Sequence, residues 1–243
     1  TDLKSIGFTA YAGEILGIAG VAGNGQAELL LALSGERRAA SNDAIKLDGQ
    51  ALGHADAGRR RAAGLACVPE ERNGHAAVPD FSLADNVVLT ARHRLPLAPS
   101  GLIRQGAVDA YAREVIERFD VRTTGPAALA GALSGGNLQK FIMGREIGQN
   151  PEVLIVEQPT WGVDAGAAAA IRQALVDLAA RGSAIVVISQ DLDELLELAD
   201  RLCVINEGRL SEARPVAGLK LEEIGLLMGG VHGEAVAADH AHA

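Results

Sequence analysis

Ala132-Leu133-Ser134-Gly135-Gly136-Asn137-Leu138-Gln139-Lys140 is the stretch on which the reading of this chain turns. A serine followed by two glycines predicts a capped helix start, with the helix running over about 135–147. The first N–H groups of such a helix have no partner within it. Together with the positive end of the helix dipole they favour an anion. Taken alone, the stretch is equally a plain helix-start turn, so its meaning depends on what surrounds it.

Ile15-Leu16-Gly17-Ile18-Ala19 reads as a short buried strand running into Gly20-Val21-Ala22-Gly23-Asn24-Gly25. A helix is predicted from Ala27 to about Ser34, stopped by Gly35. Strand, glycine loop and helix together cradle phosphates in G-x-x-x-x-G-K-[ST]. Here Gly20 and Gly25 keep the glycine positions, but Gln26 takes the Lys position and Ala27 the Ser/Thr position that would meet magnesium. A lysine about 4 Å from a phosphate contributes roughly 4 kcal/mol at an effective dielectric near 20, and Gln26 offers only a neutral donor. The spacing does not match G-x-G-x-x-G, and no acidic strand end follows about twenty residues on, which argues against a dinucleotide fold.

Further strands are predicted at Ala44–Leu47, turned by Asp48-Gly49, and at Leu65–Val68. Val153–Val156 and Ile185–Ile188 are continuous apolar runs of the kind found in parallel strands covered on both faces. Leu202–Ile205 and Arg209–Ser211 complete the set. Helices are predicted after a Ser82 cap, over Val108–Phe119, over about Ala165–Ala180 and at Leu192–Leu198. The polar tail beyond Gly229, with His240 and His242, is expected to be disordered.

The chain has 243 residues with net charge −9, 48% hydrophobic and 22% charged residues. That acidity disfavours life on nucleic acid. Cys67 and Cys203 sit in apolar runs and read as buried free thiols. No apolar run reaches the roughly 18 residues of a membrane span. A start at Thr1 that leads almost at once into a strand-like run reads as a piece of a longer polypeptide.

Leu-Ser-Gly-Gly-x-x-Gln resembles the signature motif of ATP-binding cassette (ABC) ATPases, and other motifs of that family appear in the same order. The Gly20–Ala27 loop resembles a phosphate loop (Walker A) with Lys and Ser/Thr replaced. Val68-Pro69-Glu70-Glu71-Arg72 resembles the Q-loop region, with Glu70 at the Gln position. Val153–Thr160 resembles the strand ending Asp-Glu-Pro-Thr, so Glu157 stands at the magnesium-associated Asp and Gln158 at the Glu that activates water. Gly162-Val163-Asp164 resembles the D-loop, and Gln190 stands at the switch His. An amide takes no proton, and a positioned general base contributes about 10²–10⁴ in rate.

The resemblance implies an α/β P-loop NTPase with a RecA-like parallel-sheet core, a small antiparallel β subdomain and a helical subdomain. The expected division is core over 1–79 and 151–228, helical signature lobe over 80–150, and tail over 229–243. It implies ATP and magnesium as cofactors, bound through Gly20, Gly23, Asn24, Gly25, Gln26, Ala27, Glu28, Glu70, Ser134, Gly135, Gly136, Gln139 and Asp164, with Glu157 as the metal candidate. The catalytic positions are Gln158 and Gln190, both altered. The flavour of the motifs is similar to the second cassette of fused two-cassette importers of simple sugars or purine nucleosides. That implies a partner cassette, permease subunits, indirectly a substrate-binding protein, and a peripheral place on the cytoplasmic membrane face. The adenine-stacking aromatic of the family is expected upstream of Leu3. Two alternatives stay open: a catalytically inactive nucleotide-sensing or scaffold cassette, and a soluble ABC ATPase of DNA repair or translation.

Other features read more plainly. Arg59-Arg60-Arg61 is expected on a solvated helix face. Trp161 is expected at an interface or in packing. Asp191-Leu192-Asp193-Glu194 is expected to cap a helix, and His54, His75 and His93 show no ligand spacing.

Overall fold

A computed structural model describes residues 1–230 of the chain. The tail expectation beyond Gly230, with His240 and His242, lies outside the described residues. The first strand, β1 (Ile15–Ala19), leads through the glycine loop into α1 (Gln26–Ser34). A hairpin follows, β2 (Lys46–Leu47) and β3 (Gln50–Ala51), then α2 (Ala57–Ala62) and β4 (Leu65–Val68). Three helices come next: α3 (Leu83–Ala91), α4 (Gln105–Arg118) and α5 (Gly135–Ile147). The chain then returns to β5 (Val153–Glu157), α6 (Ala165–Ala180), β6 (Ala184–Ser189), α7 (Leu192–Leu198) and β7 (Arg201–Asn206). Two short strands, β8 (Arg209–Leu210) and β9 (Arg214–Pro215), and α8 (Leu221–Met228) close the described part.

The main sheet runs β4-β5-β6-β1-β7-β8, with β9 also on β7. From β4 to β7 all neighbours are parallel, and β8 and β9 are antiparallel. Strand periodicity sorts its side chains onto two faces. Leu16, Ile18, Cys67, Ile155, Val186 and Ile188 pack with Leu29, Leu30 and Leu33 of α1. Ile15, Ala66, Val68, Leu154, Val156, Ile185 and Val187 face the opposite way, with Leu138, Ile171, Leu175 and Leu195 from α5, α6 and α7. Both faces are covered, which is why these strands are apolar throughout rather than alternating.

The expected elements recur with small shifts. Ala44 belongs to a 3-10 turn over Asn42–Ala44, so the strand shrinks to Lys46–Leu47, turned by Asp48 and Gly49 at φ 48° and 80°. α4 starts at Gln105, before the apolar stripe that marked it. Ser82 caps α3 by accepting the Asp85 N–H at 3.0 Å. Both cysteines are buried.

The arginine expectation is overturned at Arg60 and Arg61. Arg60 is fully buried, and its guanidinium donates to the carbonyls of Ala32, Leu33, Gly53 and Ala55. Arg61 reaches Glu146 at 2.7 Å, and Glu146 also takes the Arg145 Nε–H at 2.7 Å. Burial pushes the Glu146 carboxyl up, but Arg61 and Arg145 outweigh it and hold the group below the usual carboxylate range. This buried cluster ties the C-terminal end of α5 to α2, where a solvated face was expected.

Candidate functional site

β1, β6 and β5 lie side by side and parallel, so their carboxyl ends share one edge of the sheet. In open α/β sheets that edge is where ligands bind. It carries Gly20–Ala27 after β1, Glu157 and Gln158 at the end of β5, and Ser189 and Gln190 at the end of β6. The topology thus gathers positions that are up to 170 residues apart (Gly20 to Gln190).

In the glycine loop, Gly25 has φ 114°, a region a side chain rarely tolerates, and it turns the chain into α1. The Gln26 side chain is buried and folds back on the loop. Its Oε1 accepts the Asn24 N–H at 3.0 Å and its Nε2 donates to the Val21 carbonyl at 2.8 Å. Ala27 is exposed and offers no side-chain oxygen to a cation. Gly23 is exposed, and its carbonyl accepts from the Thr1 hydroxyl at 2.6 Å. Glu28 takes the Thr1 ammonium at 2.8 Å.

At the end of β5, Glu157 is buried at 8% exposure, with its Oε2 3.4 Å from the Glu70 N–H. Burial raises its carboxyl above the usual range, and the Glu70 N–H pulls the other way. The Glu70 side chain is exposed. Gln158 has a left-handed backbone, φ 49°, at a non-glycine residue, a strained placement of the kind found at functional sites. Its Oε1 lies 3.1 Å from the Ser189 hydroxyl. That hydroxyl is also 3.1 Å from Glu194 Oε2, and Thr160 donates to Glu194 Oε1 at 2.5 Å. Burial raises the Glu194 carboxyl, against the pull of the two hydroxyls. Gln190 is exposed.

An open cleft of about 740 Å³ lies beside this edge, lined by Ala27, Leu30, Pro69, Glu70, Arg72, Glu157 and Trp161 among others. Trp161 is 66% exposed, so intramolecular packing is not its role.

Ser134, Gly135 and Gly136 form a second cluster, at the start of α5. Ser134 caps α5, its hydroxyl oxygen 3.4 Å from the Asn137 N–H and 2.9 Å from Asn137 Nδ2. Ser134 and Gly135 are exposed. Gly136 packs against the loop after β5: a Cβ there would meet the Gly162 carbonyl at 3.5 Å. Asp164 caps α6 through the Ala167 N–H at 2.9 Å, a bond that lowers its carboxyl below the usual range. Gln139, buried at 1% exposure, donates to the Pro159 carbonyl at 2.9 Å.

Sequence reasoning missed two members of these clusters. Arg72 donates to Gln139 at 2.9 Å and to the Trp161 carbonyl, and its Nη1 would lie 2.9 Å from a Cβ on Gly135. The adjacent Glu70-Glu71 pair, whose charges favour a neighbouring cation, is the one signal in the sequence that points to Arg72. Glu194 was read with its neighbours as a helix cap. Asp191 does cap α7, accepting the Glu194 N–H at 3.1 Å, while the Glu194 side chain turns into the sheet edge.

Residues 3–161 match the family model described as ABC transporter. The chain belongs to the ABC transporter family. This cassette is 38% identical over 228 residues to the guanosine import ATP-binding protein NupO of Bacillus subtilis, covering 94% of this chain and 44% of that protein. It is 40% identical over 225 residues to the xylose import ATP-binding protein XylG of Burkholderia ambifaria, covering 91% of this chain and 42% of that one. The cassette therefore spans less than half the length of these curated relatives. Among solved structures, a dimeric ATP-binding cassette in a post-hydrolysis state with ADP and phosphate superposes with a TM-score of 0.76. At 21% identity, over 89% of this chain and 91% of that one, this likeness establishes the fold: a P-loop NTPase with a parallel-sheet core, a small antiparallel sheet and helices.

Proposed function

We propose that this cassette is part of an ATP-driven importer and that it completes the nucleotide site of a partner cassette while its own site is degenerate. The observation that carries the reading is the contrast between its two clusters. Ser134 and Gly135 stand exposed at the capped N-terminus of α5, with free backbone N–H groups for an anion. The glycine loop has Gln26 where a lysine would meet phosphate, Ala27 where an oxygen would meet magnesium, and Gln158 where a carboxylate would activate water.

The residues at this chain's own loop do not fit a magnesium–triphosphate. Magnesium needs near-ideal octahedral oxygen ligation. Ala27 supplies none, and the Glu157 carboxyl is turned to the Glu70 N–H. The nucleotide that matters is then held by the partner, with ATP and magnesium bound there and only weakly here. Gly162–Asp164 would meet that partner beside the signature.

Relatives named for guanosine, nucleoside and ribose import support a nucleoside or simple sugar as cargo. Their length, more than twice the matched share, supports a fused arrangement in which the other cassette belongs to the same polypeptide. Relatives named as import ATP-binding proteins support permease subunits as partners and a peripheral cytoplasmic-face location. Among the described residues no helix is long and apolar enough to cross a membrane. A substrate-binding protein would act indirectly, and nucleic acid is no partner. We take residues 80–150 as the helical lobe between two core segments.

A second reading, an inactive strut or sensor, is favoured by the Gln26 side chain folded into its own loop. Uptake by the complete transporter carrying Ser134→Arg separates the two. The side chain would block a docking phosphate group, and uptake should be abolished. Normal uptake would leave the strut.

A further inference from the structure

Gln26 does more than lack a charge. Its Oε1 takes the Asn24 N–H at 3.0 Å, and its Nε2 donates to the Val21 carbonyl at 2.8 Å, so the side chain bridges the loop from within. A Cβ on Gly20 would lie 2.8 Å from Nε2, which places the amide nitrogen close against the first loop glycine. From outside, Asn24 braces the same loop. Its Nδ2 donates to Val21 at 2.8 Å, its Oδ1 accepts the Glu207 N–H at 2.9 Å, and its carbonyl accepts the Gly208 N–H at 2.8 Å.

A phosphate in a glycine loop is held by successive backbone N–H groups that converge on it. The Asn24 N–H belongs to that run, between Gly23 and Gly25, and an amide oxygen already occupies it. We propose that Gln26 is an intramolecular substitute for the anion. It holds the loop closed without nucleotide, and a phosphate must displace it to bind. The proposal rests on the reading that this chain's own site is degenerate, and goes beyond it by naming what fills the site.

A missing charge and an internal plug predict opposite effects of shortening the side chain. If only the lysine charge is lacking, Gln26→Ala removes a neutral donor, and affinity for Mg-ATP stays level or falls. If Gln26 competes with phosphate, the same change frees an N–H and tightens binding by about fivefold, the worth of one net hydrogen bond.

The test is calorimetry of this chain with Mg-ATP and with inorganic pyrophosphate, for wild type, Gln26→Ala and Gln26→Lys, together with hydrogen exchange at the Asn24 amide. The expected result is weak wild-type binding, about fivefold tighter binding by Gln26→Ala, and an Asn24 amide that exchanges faster in that variant. Equal or weaker binding by Gln26→Ala, or an Asn24 amide that is unprotected in the wild type, overturns the plug and leaves the degenerate-site reading intact. Wild-type binding as tight as that of Gln26→Lys overturns both.

Discussion

Arg72 and Gln139 are joined by a hydrogen bond of 2.9 Å from Nε to Oε1, across 67 residues of sequence. Gln139 passes the connection on by donating to the Pro159 carbonyl at 2.9 Å, and Arg72 passes it to the Trp161 carbonyl. The loop after β4, the start of α5 and the loop after β5 are therefore tied together by side-chain hydrogen bonds. They hold the exposed Ser134 and Gly135 beside the Gly162–Asp164 loop, against which Gly136 packs.

Gln139→Ala removes a buried donor and acceptor together and strands the Pro159 carbonyl and one end of Arg72. A destabilisation of about 2 kcal/mol is expected, read as a lower urea midpoint at unchanged slope. A change under about 0.5 kcal/mol would mean that the three segments are held by packing alone.

Arg60→Lys keeps the charge but loses the planar fork that reaches four carbonyls, a number an ammonium with three donors cannot match. The cost should be about 2–3 kcal/mol in denaturant unfolding. An unperturbed midpoint would return Arg60 to the solvated face that its sequence neighbours suggest.

Glu146→Gln leaves Arg61 and Arg145 without their shared carboxylate in a fully buried setting. About 3 kcal/mol of stability should be lost. The Glu146 carboxyl is held below its ordinary value, so its contribution is present above the unfolded carboxylate range and fades as pH falls through the native value. The gap between wild type and variant should accordingly narrow in acid.

Glu157 carries the opposite sign. Burial raises its carboxyl above the ordinary value, so the native state binds a proton more readily than the unfolded chain. The stability this brings is full below the unfolded value and is lost as pH rises through the native one. Glu157→Gln should therefore raise the thermal midpoint at pH 7, with the gain vanishing as pH falls below the carboxylate range. A loss of stability at pH 7 would show that the charged form makes an interaction beyond the Glu70 N–H.

The fold was legible wherever a local rule applied. Continuous apolar runs marked β1, β5 and β6, glycine punctuation marked the loop before α1, and Ser82, Ser134 and Asp191 announced helix starts. The illegible parts depend on partners distant in sequence. Arg60 sits in the middle of an arginine run and reads as surface, but its acceptors Ala32 and Leu33 lie 28 and 27 residues away. Arg72 gains meaning only from Gln139. The left-handed backbone of Gln158 has no glycine or asparagine to signal it. The folding of Gln26 into its own loop is a conformational choice that residue identity alone does not dictate.

The central claim is that Ser134–Gly136 serve a nucleotide held by another cassette. Steady-state ATP hydrolysis by the complete protein carrying Ser134→Arg tests it most directly. The account predicts a fall of about a hundredfold or more, because the clasp on the transferring phosphate is removed. A rate within about twofold of wild type would contradict it.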